Sequence, residues 1–184
     1  MNPLAAGVML YLLLGLELAA RGVFSAGSGG GVVMPSFVLA GVVMIGLFAP
    51  VTAALWTALL AGLAMDFCTA GLFTIVGPWA LAYLAAAYFV VTVRGMLMRR
   101  SVLAWMFTGV VGAALAAVVF VVLMTARSWF DSAVEFRPGH EISVRLLGAL
   151  YTAAVMAGLW VAKGPLLSLL GLGDGAKRGF GRMR

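Results

Sequence analysis

Apolar residues run in long blocks along this chain, and short polar or glycine-rich breaks separate the blocks. A helix that crosses a bilayer needs about 20 apolar residues, with about 17 as the lower limit. Six blocks come close to this length, and we predict one membrane-spanning helix in each. The predicted spans are residues 4–20, 32–48, 50–65, 72–93, 102–124 and 144–162. The pattern therefore predicts an all-α membrane protein built as a six-transmembrane-helix bundle.

The composition excludes a water-soluble globular domain. Hydrophobic residues make up 64% of the 184 residues and charged residues only 10%, whereas soluble domains are roughly half apolar and a quarter charged. A chain this short cannot hide so much apolar surface from water, so we expect lipid to surround it. Because no hydrophilic stretch is long enough for a second domain, residues 1–184 are predicted to form a single integral membrane domain.

The first apolar block also resembles a secretory signal peptide. Ser25-Ala26-Gly27 is small enough for a cleavage site, but no basic residue precedes the block, and Glu17 and Arg21 interrupt it. These features favour a retained first helix. Glu17 and Arg21 stand four residues apart with the acid first, a spacing that stabilises helices. We therefore predict an ion pair with a structural role in preference to a ligand site.

The basic residues indicate how the chain is oriented in the membrane. The net charge is +6, and cytoplasmic loops of membrane proteins carry an excess of Lys and Arg. With six spans and a cytoplasmic N-terminus, the inside holds the basic tail 173–184 and the loop residues Arg94, Arg99 and Arg100. In the tail, Lys177 and Arg178 are expected to contact anionic lipid. We predict that both termini are cytoplasmic and that no nucleic acid is bound.

Few residues of this chain could carry out chemistry. It has one His, one Cys and no paired carboxylates, phosphate-binding loop, nucleophile motif or metal-ligand spacing. We therefore expect no enzyme activity, no metal and no cofactor. Asp66, at the end of the third predicted span, is the most informative ionisable residue, since a carboxylate near membrane depth is costly. It could contact a partner, cap the following turn, or be solvated at the interface.

The longest polar stretch, residues 127–145, contains a short amphipathic segment. Trp129 and Phe130 lie on one face of residues 128–136, and the acidic side chains lie on the other. Pro138 should end this segment. We predict an interfacial helix with its Trp in the headgroup region. Docking of a partner's membrane-proximal segment is the alternative use.

A short motif joins the second, third and fourth predicted spans. Pro35 opens the second span, Gly62-Leu63-Ala64-Met65-Asp66 closes the third, and Gly77 follows eleven residues after Asp66, with Ala80-Leu81 just beyond. Residues 32–100 thereby resemble the family of the rod shape-determining protein MreD. That family typically has a proline at the first of these places, a Gly-Leu-Leu-x-Asp run, and then a glycine with Ala-Leu.

Two departures from the family pattern affect local geometry. Ala64-Met65 replaces the usual Leu pair, and Pro78 follows Gly77 where another residue is expected. Neither removes the glycines or the aspartate of the motif. Under the resemblance, the residues expected to build the local architecture are Pro35, Gly62, Asp66 and Gly77. Those expected to contact a partner are Trp129 and Phe130.

The resemblance implies a non-catalytic inner-membrane subunit of the bacterial machinery that elongates peptidoglycan. Proteins of this family bind the single-pass protein MreC and, through it, the actin-like MreB, the glycosyltransferase RodA and a class B transpeptidase. Their fold is similar to that of the substrate-binding subunits of energy-coupling-factor vitamin transporters, which gives an alternative function. That alternative needs an outward-opening pocket with polar groups, and the predicted loops supply few beyond Asp66 and residues 127–145.

Overall fold

The computed structural model describes residues 2–25, 33–69, 76–96, 101–130 and 138–172, without the side chains of 22–25. These ranges contain helices and no strand, so the predicted all-α class is confirmed for them. The helices are α1 (Pro3–Ser25), α2 (Phe37–Phe48), α3 (Val51–Thr69), α4 (Pro78–Val93), α5 (Val102–Ser128), α6 (Pro138–Val161) and α7 (Lys163–Leu169). The loop residues Arg99 and Arg100 and the whole predicted basic tail 173–184, with Lys177 and Arg178, lie outside the described ranges.

Four of the described helices are long and apolar enough to cross a bilayer, namely α1, α3, α5 and α6. This is the build of a membrane protein. Helices α2 and α4 have only 12 and 16 residues, or about 18 and 24 Å at a rise of about 1.5 Å per residue. Both are shorter than the roughly 30 Å hydrocarbon core of a bilayer.

Prolines move the helix starts away from the edges of the apolar blocks. Helix α2 begins at Phe37 instead of residue 32, because Pro35 disfavours helical backbone before it and Ser36 caps the helix by accepting from Leu39 N. Helix α4 begins at Pro78 instead of residue 72, since proline suits the first position of a helix. For the same reason Pro138 begins α6. The end of the segment that Pro138 was expected to stop lies outside the described residues.

The segment around Trp129 also differs from its prediction. Helix α5 continues past residue 124 to Ser128, whose hydroxyl donates to Thr125 O at 2.8 Å. Trp129 and Phe130 form a turn at the end of α5, so a separate interfacial helix does not begin at residue 128. The remainder of the predicted segment, residues 131–136, lies outside the described ranges.

Helix α2 lies at the centre of the bundle. Ten of its twelve residues are buried, and it contacts α1, α3, α4, α5 and α6. A helix that is apolar on every side is typical of such an enclosed position. By contrast, α1 lies at the edge and leaves large apolar side chains exposed, among them Leu4, Tyr11 and Leu12. Lipid is the suitable environment for that face.

Small residues allow close approach between several helices. Ala82 and Ala86 of α4 are fully buried, and a side chain added at Gly109 of α5 would overlap Met156 of α6. Small residues at four-residue spacing let helix backbones approach in this way. Ala53 and Thr57 of α3, which are also four residues apart, line an apolar groove of about 450 Å³ beside α1.

Candidate functional site

A half-open cavity of about 510 Å³ lies at the end of the bundle where α2 and α4 begin. Because these two helices are short, their first residues, including Ser36 and Pro78, form its floor. Helices α1, α3, α5 and α6 supply the walls. On α5 the lining runs from Met124 to Ala113, about 16 Å along the helix. We call this space the polar cavity, since the side chains of Glu17, Arg21, Asp66, Glu141 and Arg145 also line it.

Glu17 of α1 holds the start of α2 at the cavity floor. Its buried carboxylate accepts hydrogen bonds from Val38 N at 2.9 Å and from the Ser36 hydroxyl at 3.3 Å. Unpaired N–H groups and the helix dipole favour a negative charge at this place. The Arg21 guanidinium lies 3.6 Å from Oε1 of Glu17, which confirms the predicted ion pair. Sequence reasoning missed that Glu17 caps a neighbouring helix.

Ser36 connects three helices beside Glu17. Its backbone N–H donates to Thr152 Oγ1 of α6 at 3.1 Å, and its hydroxyl lies 3.1 Å from the Tyr83 hydroxyl of α4. Thr152 in turn donates to Gly148 O within its own helix. These polar groups, of which Tyr83 and Thr152 are buried, therefore satisfy one another. Pro35, predicted as an architectural residue, lies next to this network on the cavity floor.

Asp66 of α3 holds the start of α4 in the same way. Its carboxylate accepts from Gly77 N at 2.9 Å, and from Trp79 N and Ala80 N at 3.1 Å each. Pro78 has no N–H to offer. Asp66 is 5% exposed, so the role that the structure assigns to it, among the three that the sequence left open, is the cap.

Two glycines make the Asp66 cap sterically accessible. A Cβ atom at Gly62 would lie 2.5 Å from Ala80 Cα and 2.6 Å from Trp79 O, so only glycine lets α3 approach the start of α4 this closely. Gly77 has a φ of 142°, which L-residues with side chains rarely adopt. The glycines and the aspartate of the motif thus meet at one helix junction.

Arg145 of α6 extends along the cavity wall. Its Nε donates to Glu141 Oε2 at 3.1 Å, and its guanidinium carbon lies 4.9 Å from the Trp79 ring centroid and 4.1 Å from that of Phe120. Aromatic faces attract cations at such distances, so the guanidinium is held in place. Sequence reasoning missed this residue, although Glu141 precedes it by four residues, as Glu17 precedes Arg21.

The remaining predicted residues lie away from the cavity. Arg94 donates from Nη1 to Gly46 O at 3.3 Å and to Ala49 O, and thereby holds the last carbonyls of α2. It is thus half-buried and structural as well as a basic residue at a helix end. Trp129 and Phe130 are 80% and 92% exposed at the cavity end of the bundle. They are available for contact with another molecule.

The cavity combines charged side chains with an aromatic surface. Among the described residues, no group of three or more His, Cys, Asp and Glu side chains could hold a metal ion. No family model, no curated protein and no solved structure matches this chain.

Proposed function

We propose that this protein is a non-catalytic, MreD-like scaffold of the bacterial elongation machinery. It would lie in the inner membrane with six crossings and both termini in the cytoplasm, α2 and α4 being shortened crossings inside the bundle. There it would bind MreC, and through MreC assemble with MreB, RodA and a class B transpeptidase. Peptidoglycan synthesis and cell shape would depend on that assembly.

The observation that carries this proposal is the convergence of the resemblance motif. Gly62, Asp66 and Gly77 are separated in sequence, yet they form one junction between α3 and α4. If the chain shares the fold of the MreD family, the residues of the shared motif should act together in one part of the structure. It also gives Asp66 an architectural role, because its oxygens are occupied by backbone N–H groups. Contact with a partner then falls to exposed side chains.

Trp129 and Phe130 are the exposed side chains best suited to that contact. Both are large aromatic groups that almost fully face outward at one end of the bundle, and buried aromatic anchors dominate the affinity of many interfaces. On the proposed orientation this end faces the periplasm, where MreC, a single-pass protein, continues after its membrane segment. We therefore assign the MreC contact to this turn.

The test is recovery of partners with the tagged protein from native membranes in mild detergent, followed by mass spectrometry. The wild type should bring down MreC at near-stoichiometric level. The W129A/F130A double variant should recover at least about tenfold less, the usual effect of removing interface anchors. Met96→Ala is the matched control, since Met96 is 89% exposed at the opposite end, and it should recover MreC as the wild type does.

The vitamin-transporter alternative has one observation in its favour, the polar cavity itself. A volume of about 510 Å³ is within the range of small-molecule sites, and its lining is richer in charge than the sequence suggested. The same experiment separates the two functions. Recovery of two ATPase subunits and a coupling membrane subunit, with no MreC, would show that the protein is a substrate-binding subunit and not a scaffold.

A further inference from the structure

Among the side chains that line the polar cavity, more hydrogen-bond donors than acceptors remain without a partner in the described part of the chain. Within the described residues, both oxygens of Glu17 and of Asp66 accept hydrogen bonds. Arg21 approaches Glu17 at 3.6 Å, which is beyond normal hydrogen-bond length. A guanidinium has five N–H donors, so most donors of Arg21 remain for another partner.

Arg145 adds to this surplus from the opposite wall. Its Nε and Nη2 both lie 3.1 Å from the same oxygen of Glu141, which leaves Nη1 without an acceptor among the described residues. On the acceptor side, the second oxygen of Glu141 is the carboxylate oxygen that these contacts leave over. The guanidinium groups of Arg21 and Arg145 line the same cavity. A negatively charged group between them would accept hydrogen bonds from both.

The rest of the cavity lining is apolar and consists mainly of small side chains and flat rings. Small residues of α5 and α6 form one wall: Ala113, Ala116, Ala117 and Ala149. The rings of Trp79 and Phe120, with centroids 4.5 Å apart, lie beside Arg145. Such a surface accepts a compact apolar body, and its low polarity strengthens charge-assisted hydrogen bonds made nearby.

We propose that the polar cavity binds a small amphiphilic oxyanion, a carboxylate or phosphate joined to a compact apolar body. Its oxygens accept from Arg21 and Arg145, and its apolar part packs on the alanine wall and the aromatic rings. A soluble molecule and an anionic lipid can both supply this chemistry. The inference goes beyond the scaffold function and does not depend on it.

Calorimetric titration of the full chain in zwitterionic nanodiscs tests the proposal with two anionic probes. Phenylbutyrate represents a soluble source, and dihexanoyl phosphatidic acid represents a lipid source. Phenylbutanol and dihexanoyl phosphatidylcholine are their uncharged and zwitterionic counterparts. At least one anionic probe should bind at one site per chain with a Kd below about 1 mM, and its counterpart should bind at least about tenfold more weakly.

Substitutions locate the binding. Arg21→Gln and Arg145→Gln should each weaken the anionic probe about tenfold or more, since each removes charge-assisted hydrogen bonds. Lys163→Gln removes a cation that lies on Trp160, outside the cavity, and should bind as the wild type does. Arg21 is 34% exposed but pairs with the buried Glu17, so the thermal unfolding midpoint of each arginine variant is compared with that of the wild type to separate loss of the ligand from loss of the fold.

Binding of phenylbutyrate alone identifies a soluble ligand, and binding of phosphatidic acid alone identifies a lipid. Failure of both anionic probes to exceed their counterparts overturns the proposal, as does undiminished binding by both arginine variants. Recovery of MreC with the Arg21→Gln variant separates anion binding from the scaffold function. If this variant no longer binds the anionic probe but still recovers MreC, the two functions are independent.

Discussion

At the scale of single residues, three charged side chains supply hydrogen bonds to helix ends that water can supply in soluble proteins. Glu17 and Asp66 accept from the first N–H groups of α2 and α4, and Arg94 donates to the last carbonyls of α2. Hydrocarbon offers no hydrogen bonds, so a helix end at membrane depth needs protein groups as partners. Each charge also has the sign that the helix dipole favours.

Asp66→Ala is expected to lower the free energy of unfolding by about 3 kcal/mol, because it leaves buried N–H groups without an acceptor. Equilibrium unfolding in detergent micelles, followed by circular dichroism, measures the loss. Glu141→Ala is the control, since it removes a half-exposed carboxylate from an i,i+4 pair, and it should cost about 0.5 kcal/mol. Equal losses in the two variants would contradict the capping role.

The importance of Asp66 could be predicted from the sequence, but its partners could not. A carboxylate within an apolar block is conspicuous wherever it occurs. Its partners lie 11 to 14 residues further along the chain, beyond a break whose geometry the apolar pattern does not specify. Arg94 was likewise predicted as a loop cation, since nothing in its neighbourhood indicates that α2 ends beside it.

At the scale of helices, the short length of α2 and α4 is the decisive feature. Helix α2 is enclosed on all sides and held at both ends by charges from α1 and α4. Such a helix cannot be extended without displacing its caps. The contact between α3 and the start of α4 is equally constrained, because the backbone at Ala80 touches the position where Gly62 lacks a side chain.

Gly62→Ala should destabilise the protein by about 1–3 kcal/mol, the usual cost of overpacking, because backbone atoms cannot move aside as a flexible side chain can. The midpoint of thermal unfolding in detergent reports the change. Gly158→Ala in α6 is the matched control: a Cβ there meets nothing within 4 Å, and alanine favours the helix by up to about 1 kcal/mol. A Gly62→Ala variant as stable as Gly158→Ala would show that the junction is loosely packed.

At the scale of the whole molecule, the orientation in the membrane decides which side the polar cavity faces. The helix starts at Ser36 and Pro78 and the turn at Phe130 lie at the cavity end, whereas Met96 follows α4 at the opposite end. The basic residues near the end at Met96 favour a cytoplasmic location for that end. The cavity should therefore open toward the periplasm.

Cysteine labelling of intact spheroplasts tests this orientation. In a Cys68→Ser background, Phe130→Cys should react with a membrane-impermeant maleimide added outside. Met96→Cys should react only after the membrane is permeabilised. Both positions are about 90% exposed, so a difference in labelling reports the side of the membrane. Labelling of Met96→Cys alone in intact spheroplasts would reverse the orientation.

The membrane class, the helical build and the approximate places of α1 to α6 follow from the sequence alone, because lipid exposure depends on local composition and helices satisfy their own backbone locally. Only the tertiary structure decided the helix caps, the network around Ser36 and the polar cavity. These depend on contacts between residues far apart in the chain, such as Ser36 and Thr152, which are 116 positions apart. Local periodicity cannot specify such distances, because they follow from which helices face one another.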